Sequence, residues 1–226
     1  TITSSYMNNA LDICDLTWKP DGNAIYAAWE ERIVGINPIS GVQTTLAETD
    51  YDFSAIDYNA SDLILVSEEP SICHWTESGS KTTLCYSPIP LMDYGWLTSV
   101  DYCPINQYLG VVGPNGDPDV YIYNNNGSVY RSWTAQVPEN DALYDCHWSP
   151  TGAKLAVSGE RGVVNVYTAS TGDILNIGYY DEDDEIYAIR FIDDNTLATG
   201  SNDDHTLQIW DISSGSPVRA DSAYLV

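Results

Sequence analysis

Five segments of the chain repeat one pattern of short strands and turns, and this repeat restricts the possible folds more than any other feature. The first strand of each segment ends in an aromatic residue, and these repeat aromatics are Trp18, Tyr58, Tyr102, Trp148 and Phe191. They are separated by 40, 44, 46 and 43 residues. A period in the forties is typical of the four-stranded blades of a β-propeller. One such unit cannot bury its own apolar face, so the repeat predicts a ring or array of stacked units.

The residue pattern within each repeat predicts antiparallel strands and no helix. Alternating apolar and polar residues are separated by short turns, as in WSPTGAKLAVSG at residues 148–159. The predicted fold class is therefore all-β, a β-propeller of about five four-stranded blades, which form a closed five-bladed ring or part of a larger propeller. The predicted single domain covers residues 1–226, with blades at about 11–49, 53–86, 96–133, 142–179 and 185–220.

The fourth and fifth repeats carry the motifs with the most specific resemblance. WSPTG is followed by KLAVSG, and TLATGSNDDHTLQIWD at residues 196–211 ends with Trp210 and Asp211. These motifs resemble the WD-repeat (tryptophan-aspartate repeat) β-propeller family, and the resemblance spans about residues 11 to 215. In that family the Trp of the third strand lies against an Asp in the preceding turn, a position that Asp204 matches. The Gly-His pair that usually opens a blade is absent from all five repeats, so the chain resembles a divergent member.

The resemblance implies a non-catalytic scaffold for protein interactions, and no motif in the sequence points to an enzyme. There is no GxSxG nucleophile elbow, no phosphate-binding glycine loop, no HExxH and no dinucleotide-binding fingerprint. The three histidines, His74, His147 and His205, fall in different repeats. We therefore expect no catalytic residue, no resident cofactor and no thiolate metal site.

The charge balance excludes two classes of partner. The chain has 33 acidic residues against 8 Lys and Arg, and its formal net charge is −25. Such a charge repels phosphate backbones and anionic lipid headgroups, so nucleic acids and membrane surfaces are not expected partners. Apolar runs such as residues 63–66 are far shorter than the roughly 20 residues that cross a bilayer, so no membrane insertion is expected either.

The predicted strand order concentrates the acidic residues on one face. Connections between blades and the turns between second and third strands share a face, which we call the connection face. More than half of the acidic residues map to it, and all three lysines map to the opposite face. The predicted binding residues on the connection face are Asp181, Glu182, Asp183, Asp184, Glu185, Asp203, Asp204, Glu68, Glu69 and the aromatic Trp96. This negative field predicts a basic protein partner.

Two other interpretations of the same acidic loops stay open. Their oxygen ligands suit Ca²⁺, although no dedicated calcium-loop spacing is present. The loops are also explained by solvation alone, since charge runs commonly do no more than keep a protein soluble.

The two ends of the chain compete to close the ring. Residues 1–7 lie where the fourth strand of a preceding blade would stand, and residues 216–226 could complete the fifth blade without them. One strand is then spare. An unpaired strand invites pairing with another chain, so self-association through a terminal strand is a further expectation.

The alternative function is a secreted structural or ligand-binding propeller. Its main support is Cys73 and Cys85, which are equidistant from the turn at Gly79 and would face each other across two antiparallel strands, as a disulfide requires. Two reduced thiols explain the pair equally well. Asn59 and Asn126 begin glycosylation sequons, and the low lysine content suits a secreted or high-salt setting, whereas the family resemblance favours an intracellular one.

Overall fold

The computed structural model describes residues 13–29, 31–48, 50, 52–59, 62–67, 71–76, 81–86, 97–113, 119–134, 142–177, 184–202, 205–215 and 217–224. These residues form five four-stranded antiparallel sheets, and each sheet is built from four strands that follow one another in the chain. The all-β prediction is therefore confirmed. The described ranges contain no helix that is long and apolar enough to cross a membrane.

The sheets are numbered as blades 1 to 5, and their strands follow in chain order from the innermost to the outermost. Blades 1 and 2 comprise β1 (Ile13–Trp18), β2 (Ile25–Trp29), β3 (Arg32–Ile36), β4 (Gln43–Glu48), β5 (Phe53–Asn59), β6 (Asp62–Ser67), β7 (Ser71–Thr76) and β8 (Lys81–Tyr86). Blades 3 and 4 comprise β9 (Ser99–Cys103), β10 (Tyr108–Val112), β11 (Val120–Asn124), β12 (Val129–Trp133), β13 (Leu143–Trp148), β14 (Lys154–Gly159), β15 (Val164–Thr168) and β16 (Ile174–Asn176). Blade 5 comprises β17 (Ile186–Asp193), β18 (Thr196–Ser201), β19 (Thr206–Asp211) and β20 (Val218–Tyr224).

Glycines with positive φ allow the tight turns between third and fourth strands. Gly41, Gly127, Gly172 and Gly215 have φ angles of 70°, 81°, 83° and 68°. Residues with a Cβ atom rarely adopt this left-handed conformation. In these four described turns, the glycine is therefore required by the backbone conformation.

The repeat aromatics pack each blade against the blade before it. Tyr58, Tyr102, Trp148 and Phe191 belong to four apolar clusters that each join two successive blades. Trp148, for example, is buried with Leu155 of blade 4 against Val112 and Ile122 of blade 3. Most of the apolar core therefore lies between blades, as expected for units that cannot bury their own faces.

Blade 1 and blade 5 do not pack against each other in this way. The innermost strands of the four successive blade pairs lie side by side, whereas the fully described strands β1 and β17 make no comparable contact. Leu16 and Trp18 on β1 are each 53% exposed, while their counterparts on β17, Ile189 and Phe191, are 0% and 7% exposed. The total blade number of the closed ring therefore stays a prediction.

The C-terminal segment supplies the fourth strand of blade 5. β20 pairs with β19 along its length, with Thr206 opposite Tyr224 and Asp211 opposite Val218. The competing N-terminal segment, residues 1–7, lies outside the described residues. Blade 5 needs no other strand to complete its sheet, so the N-terminal segment is not required there.

The expected alignment of Cys73 with Cys85 is wrong. A register shift between Ile72 and Cys73 places Cys73 opposite Thr83, and Cys85 lies opposite Ile72. The shift is a β-bulge on β8, which adds one residue to that strand and changes which residues face each other. The side chain of Cys85 lies outside the described part of the chain, so its pairing remains a prediction.

One of the two glycosylation sequons is inaccessible. Asn59 is 6% exposed, and its side-chain nitrogen lies 3.1 Å from Nε2 of His74 on the neighbouring strand β7. Asn126 is exposed in the turn between β11 and β12. Of the two, only Asn126 presents its side chain to solvent.

Candidate functional site

A cavity of about 430 Å³ runs along the axis of the propeller and is lined by the innermost strands of all five blades. Two positions of the repeat supply the side chains that connect neighbouring blades. The first channel ring is formed by the residues directly before the repeat aromatics: Thr17, Asp57, Asp101, His147 and Arg190. The second channel ring is formed by the residues three positions before them: Asp15, Ala55, Ser99, Asp145 and Ala188.

The first channel ring connects each blade to the next by hydrogen bonds. Asp57 of blade 2 accepts a bond from the backbone N–H of Tyr102 in blade 3, at 2.6 Å. Asp101 accepts one from the N–H of Trp148 at 2.5 Å. Nδ1 of His147 accepts one from the N–H of Phe191 at 3.1 Å. The side chain of one blade thus satisfies a backbone donor on the open edge of the next blade's innermost strand.

The second channel ring repeats this arrangement two residues away. Asp15 accepts a hydrogen bond from the N–H of Ile56 at 3.0 Å. Ser99 accepts one from the N–H of Cys146 at 3.3 Å, and Asp145 accepts one from the N–H of Ile189 at 2.9 Å. Both rings together join the four successive pairs from blade 1 to blade 5.

The series of acceptors ends at blade 5. Its two channel positions hold Ala188 and Arg190, and neither side chain can accept a hydrogen bond from β1. Arg190 instead donates from Nη1 to Asp145 of blade 4, at 2.5 Å. The missing acceptors give a physical reason why β17 and β1 are not joined like the other innermost strands.

Burial changes the protonation of the channel residues. Desolvation by burial raises the pKa of Asp15 to about 6 and raises the pKa values of Asp57, Asp101 and Asp145 as well. It lowers the pKa of His147 to about 4, an effect that the positive charge of Arg190 reinforces. Neutral His147 agrees with its role, because Nδ1 must be unprotonated to accept a hydrogen bond.

At the mouth of the channel on the connection face, two tyrosines stack in parallel. The rings of Tyr144 and Tyr187 are 4.5 Å apart with an interplanar angle of 2°. The hydroxyl of Tyr144 donates to Glu160 at 2.9 Å, and that of Tyr187 donates to Glu185 at 2.7 Å. Burial and the neighbouring Glu160 raise the pKa of Tyr144, so it stays a hydrogen-bond donor at neutral pH.

Of the predicted binding residues, Asp184 and Glu185 are described. Asp184 is only 1% exposed; its carboxylate accepts a hydrogen bond from Ser201, and its carbonyl oxygen accepts one from Gly162 of blade 4 at 2.6 Å. It therefore connects blade 5 to a turn of blade 4. Glu185 is partly exposed at the channel mouth. The remaining predicted residues lie outside the described ranges: Asp181, Glu182, Asp183, Asp203, Asp204, Glu68, Glu69 and Trp96.

Within the described ranges, no group of three or more His, Cys, Asp or Glu side chains is arranged to hold a metal ion. Of the expected Ca²⁺ ligands in residues 181–185 and 202–204, Asp184, Glu185 and Asn202 are described, and the others fall outside the described ranges. Calcium binding by the acidic loops stays a prediction.

The sequence interpretation missed the channel residues, although the repeat contains the signal. Once the repeat aromatics are aligned, Asp57 and Asp101 occupy the same position directly before them. In a strand, neighbouring residues point to opposite faces. An acidic residue beside a buried aromatic on the innermost strand is therefore directed toward the channel and the next blade.

Blade 5 also contains a buried contact between its second and third strands. Nε1 of Trp210 donates a hydrogen bond to Oγ1 of Thr199 at 3.0 Å, and these side chains are 9% and 1% exposed. Trp210 is the residue of the Trp-Asp pair. Asp204, the other residue of the expected contact, lies outside the described ranges.

Comparison with known proteins agrees with the propeller fold described above. The profile of the family described as WD domain, G-beta repeat matches residues 176–211, which include Thr199 and Trp210. WD repeat-containing protein 1-B of Xenopus laevis is 26% identical to this chain over 166 residues. The chain is therefore a β-propeller whose residues 176–211 match a WD repeat.

The WD-repeat relatives are longer than this chain. The match to protein 1-B covers 70% of this chain and 27% of the relative. WD repeat-containing protein 1 of Xenopus tropicalis gives the same identity and coverage. This chain therefore spans about a quarter of the length of the curated relatives that it matches.

Solved structures share the β-propeller fold of this chain. A chain of the crystal structure of the nidogen/laminin complex superposes with a TM-score of 0.74 and 11% identity, covering 96% of this chain and 81% of that one. A chain of the mitotic checkpoint complex gives a TM-score of 0.75 and 18% identity, covering 93% and 65%.

Proposed function

We propose that this protein is a non-catalytic interaction scaffold that binds a basic protein partner on its connection face. The observation that carries the proposal is that the acidic residues fall into two groups with different contacts. The channel carboxylates are engaged in hydrogen bonds between blades, whereas Glu160 and Glu185 lie with two tyrosines at the channel mouth. Tyrosines beside acidic groups on a rigid surface are suited to binding a protein.

The charge of the whole molecule supports a basic partner. A net charge of −25 accelerates the approach of cationic molecules and repels anionic ones. Two lysines are occupied on the opposite face, and Arg32 on the connection face is paired with Glu48 at 3.2 Å. Lys19 pairs with Asp21 at 3.6 Å and Lys154 donates to the carbonyl of Asp194 at 2.8 Å, both on the opposite face.

A non-catalytic role fits the chemistry of the buried groups. The pKa of Cys146 is raised by burial, which disfavours the reactive thiolate. His147 accepts a backbone hydrogen bond and does not contact a nucleophile. The buried titratable residues of the channel thus support the fold and lack the arrangement of a nucleophile with its base.

Charge reversal tests the proposed face. The variant Asp181→Lys/Asp183→Lys should bind a synthetic Gly-Ser peptide with three arginines at least tenfold more weakly than wild type, with a smaller dependence on salt. Asp184 is left intact because it is buried. The matched control is Asp21→Lys/Asp173→Lys, which changes the net charge by the same amount at exposed positions in the β1–β2 and β15–β16 turns of the opposite face. Equal affinities of wild type and the double variant would overturn the proposed face.

A further inference from the structure

The contact between blade 4 and blade 5 shows how neighbouring blades pack in this chain. Each blade has a front face, which is turned to the preceding blade, and a rear face, which is turned to the following blade. On the rear face of blade 4, Val164 and Val166 are 0% and 3% exposed. They form one apolar cluster with Ile189 and Phe191 on the front face of blade 5. Two apolar faces therefore bury each other where a rear face meets a front face.

The rear face of blade 5 carries the same kind of residues but is buried to a smaller extent. Leu207 and Ile209 on β19 hold the positions that Val164 and Val166 hold on β15. Leu207 is 38% exposed, and Ile209 is partly exposed. Ala198, opposite Ile209 on β18, is partly exposed as well. Apolar surface that blade 4 buries under blade 5 is thus accessible to solvent on blade 5.

The front face of blade 1 is the matching surface at the other end of the series of blades. Leu16 and Trp18 hold the positions of Ile189 and Phe191 in blade 5, and each is 53% exposed. Ile25, opposite Trp18 on β2, is partly exposed. Among the described residues, β1 and β17 make no contact comparable to that of successive innermost strands. The chain therefore presents one front face and one rear face of the kind that pack together between its own blades.

We propose that the rear face of blade 5 in one copy of this chain packs on the front face of blade 1 in a second copy. This goes beyond the proposed function, because it concerns neither the connection face nor its partner. A second copy is the occupant because a rear face already meets a front face in all four successive blade pairs of the chain. The two surfaces differ, so the contact is head-to-tail and leaves one face of each kind available at the ends of the pair.

Two properties of the chain limit the strength of this contact. Ala188 and Arg190 offer no hydrogen-bond acceptor to a following β1 strand, so the apolar side chains alone hold the two copies together. Each copy also has a net charge of −25, so the copies repel each other. Added salt screens this repulsion and should strengthen the association. Binding of a basic partner has the opposite salt dependence, which separates the two interactions.

Analytical ultracentrifugation of the full chain tests the proposal. Wild type should shift with concentration from the mass of one chain to that of two or more, and more strongly at high salt. Leu16→Asp alters the front face of blade 1, and Leu207→Asp alters the rear face of blade 5. Each variant alone should associate at least about tenfold more weakly than wild type, because the contact would bury an unpaired carboxylate.

A mixture of the two variants is the decisive measurement. Leu207→Asp keeps an intact front face and Leu16→Asp keeps an intact rear face, so one of each should form a pair of two chains and nothing larger. Such a pair also shows that both variants are folded. Ile39→Asp is the matched control, because it introduces the same charge at a residue that is 93% exposed in the β3–β4 turn. It should associate like wild type.

A wild type that keeps the mass of one chain at every concentration and salt would overturn the proposal, as expected if blades 1 and 5 close on each other within one copy. Association of either single variant as strong as that of wild type would also overturn it, since the contact would then lie elsewhere. The same conclusion follows if Ile39→Asp loses association, or if the mixed variants form no pair while wild type does.

Discussion

At the scale of single residues, the channel acids act as hydrogen-bond acceptors between blades. Asp57 and Asp101 occupy the same repeat position and accept from the backbone of the following blade. Burial raises their pKa values, which means that holding a charge there costs free energy. They are retained because a buried backbone N–H without an acceptor also costs free energy.

Substitutions of Asp101 separate its hydrogen bond from its charge. Asp101→Ala should lower the free energy of unfolding by about 1 to 3 kcal/mol, because the N–H of Trp148 loses its acceptor. Asp101→Asn keeps an acceptor of the same shape, so it should lower the free energy of unfolding clearly less than Asp101→Ala does. Urea denaturation of the two variants measures both values. Equal losses of unfolding free energy in both variants would show that the negative charge of Asp101, and not its hydrogen bond, stabilises the protein.

Asp15 should give the stability a defined pH dependence. Its folded-state pKa of about 6 lies above the ordinary 3.8, so its contribution is fully present below about pH 4 and is lost as the pH rises through 6. Asp15→Asn lacks this titration. Relative to the variant, wild type should therefore lose about 1 to 3 kcal/mol of unfolding free energy between these pH values. Unfolding of both proteins at several pH values checks this, and a constant difference would contradict it.

At the scale of elements, the turns hold neighbouring blades in place. Gly152, in the turn between β13 and β14, has a φ of 71°, and an added Cβ atom would lie 2.5 Å from Sγ of Cys103 in blade 3. Asn106 of blade 3 donates to the carbonyl of Gly152 at 2.8 Å. This turn of blade 4 is therefore part of the interface with blade 3.

Two alanine substitutions distinguish backbone strain from blade packing. Gly152→Ala combines a left-handed backbone with a steric clash, so it should destabilise by about 2 to 4 kcal/mol. Gly41→Ala has nearly the same φ, 70°, with no atom within 4 Å of the new Cβ, and should cost only about 1 kcal/mol. Thermal unfolding measures the difference. Equal costs would mean that the turn of blade 4 does not pack tightly on blade 3.

At the scale of the whole molecule, the contact between blades is continuous from blade 1 to blade 5 and stops there. Both channel rings provide acceptors up to Asp145 and His147, and then Ala188 and Arg190 provide none. Leu16 and Trp18 expose apolar surface that the corresponding residues of the other blades bury, in part at Tyr58 and almost fully elsewhere. Within the described residues, blade 1 packs on blade 2 and makes no comparable contact with blade 5.

Two truncations of equivalent residues test this asymmetry. Leu16→Ala should lower the free energy of unfolding by less than about 1 kcal/mol, because Leu16 is 53% exposed. Ile56→Ala removes the counterpart in blade 2, which is 2% exposed, and should cost about 2 to 5 kcal/mol. Chemical denaturation measures both. A cost for Leu16→Ala as large as that for Ile56→Ala would show that blades 1 and 5 are packed together in solution.

The amino-acid sequence by itself determined the propeller, because its signals are local. Strand alternation, the turn glycines and the regular spacing of Trp18, Tyr58, Tyr102, Trp148 and Phe191 each depend on a few neighbouring residues. The same locality explains the correct all-β class and the match of residues 176–211 to a WD repeat. It also explains the error at Cys73 and Cys85, since a bulge on β8 changes the register without a signal in the spacing.

The roles of the individual acids depend on contacts between blades, which the sequence pattern does not show. Asp184 and Glu185 are adjacent in the sequence, yet Asp184 is buried against Ser201 while Glu185 receives the hydroxyl of Tyr187. The stack of Tyr144 on Tyr187 joins residues of two blades, and Asp145 meets Arg190 in the same way. Such contacts depend on how one blade is rotated against the next. That rotation is set by packing across the whole interface, so no single repeat encodes it.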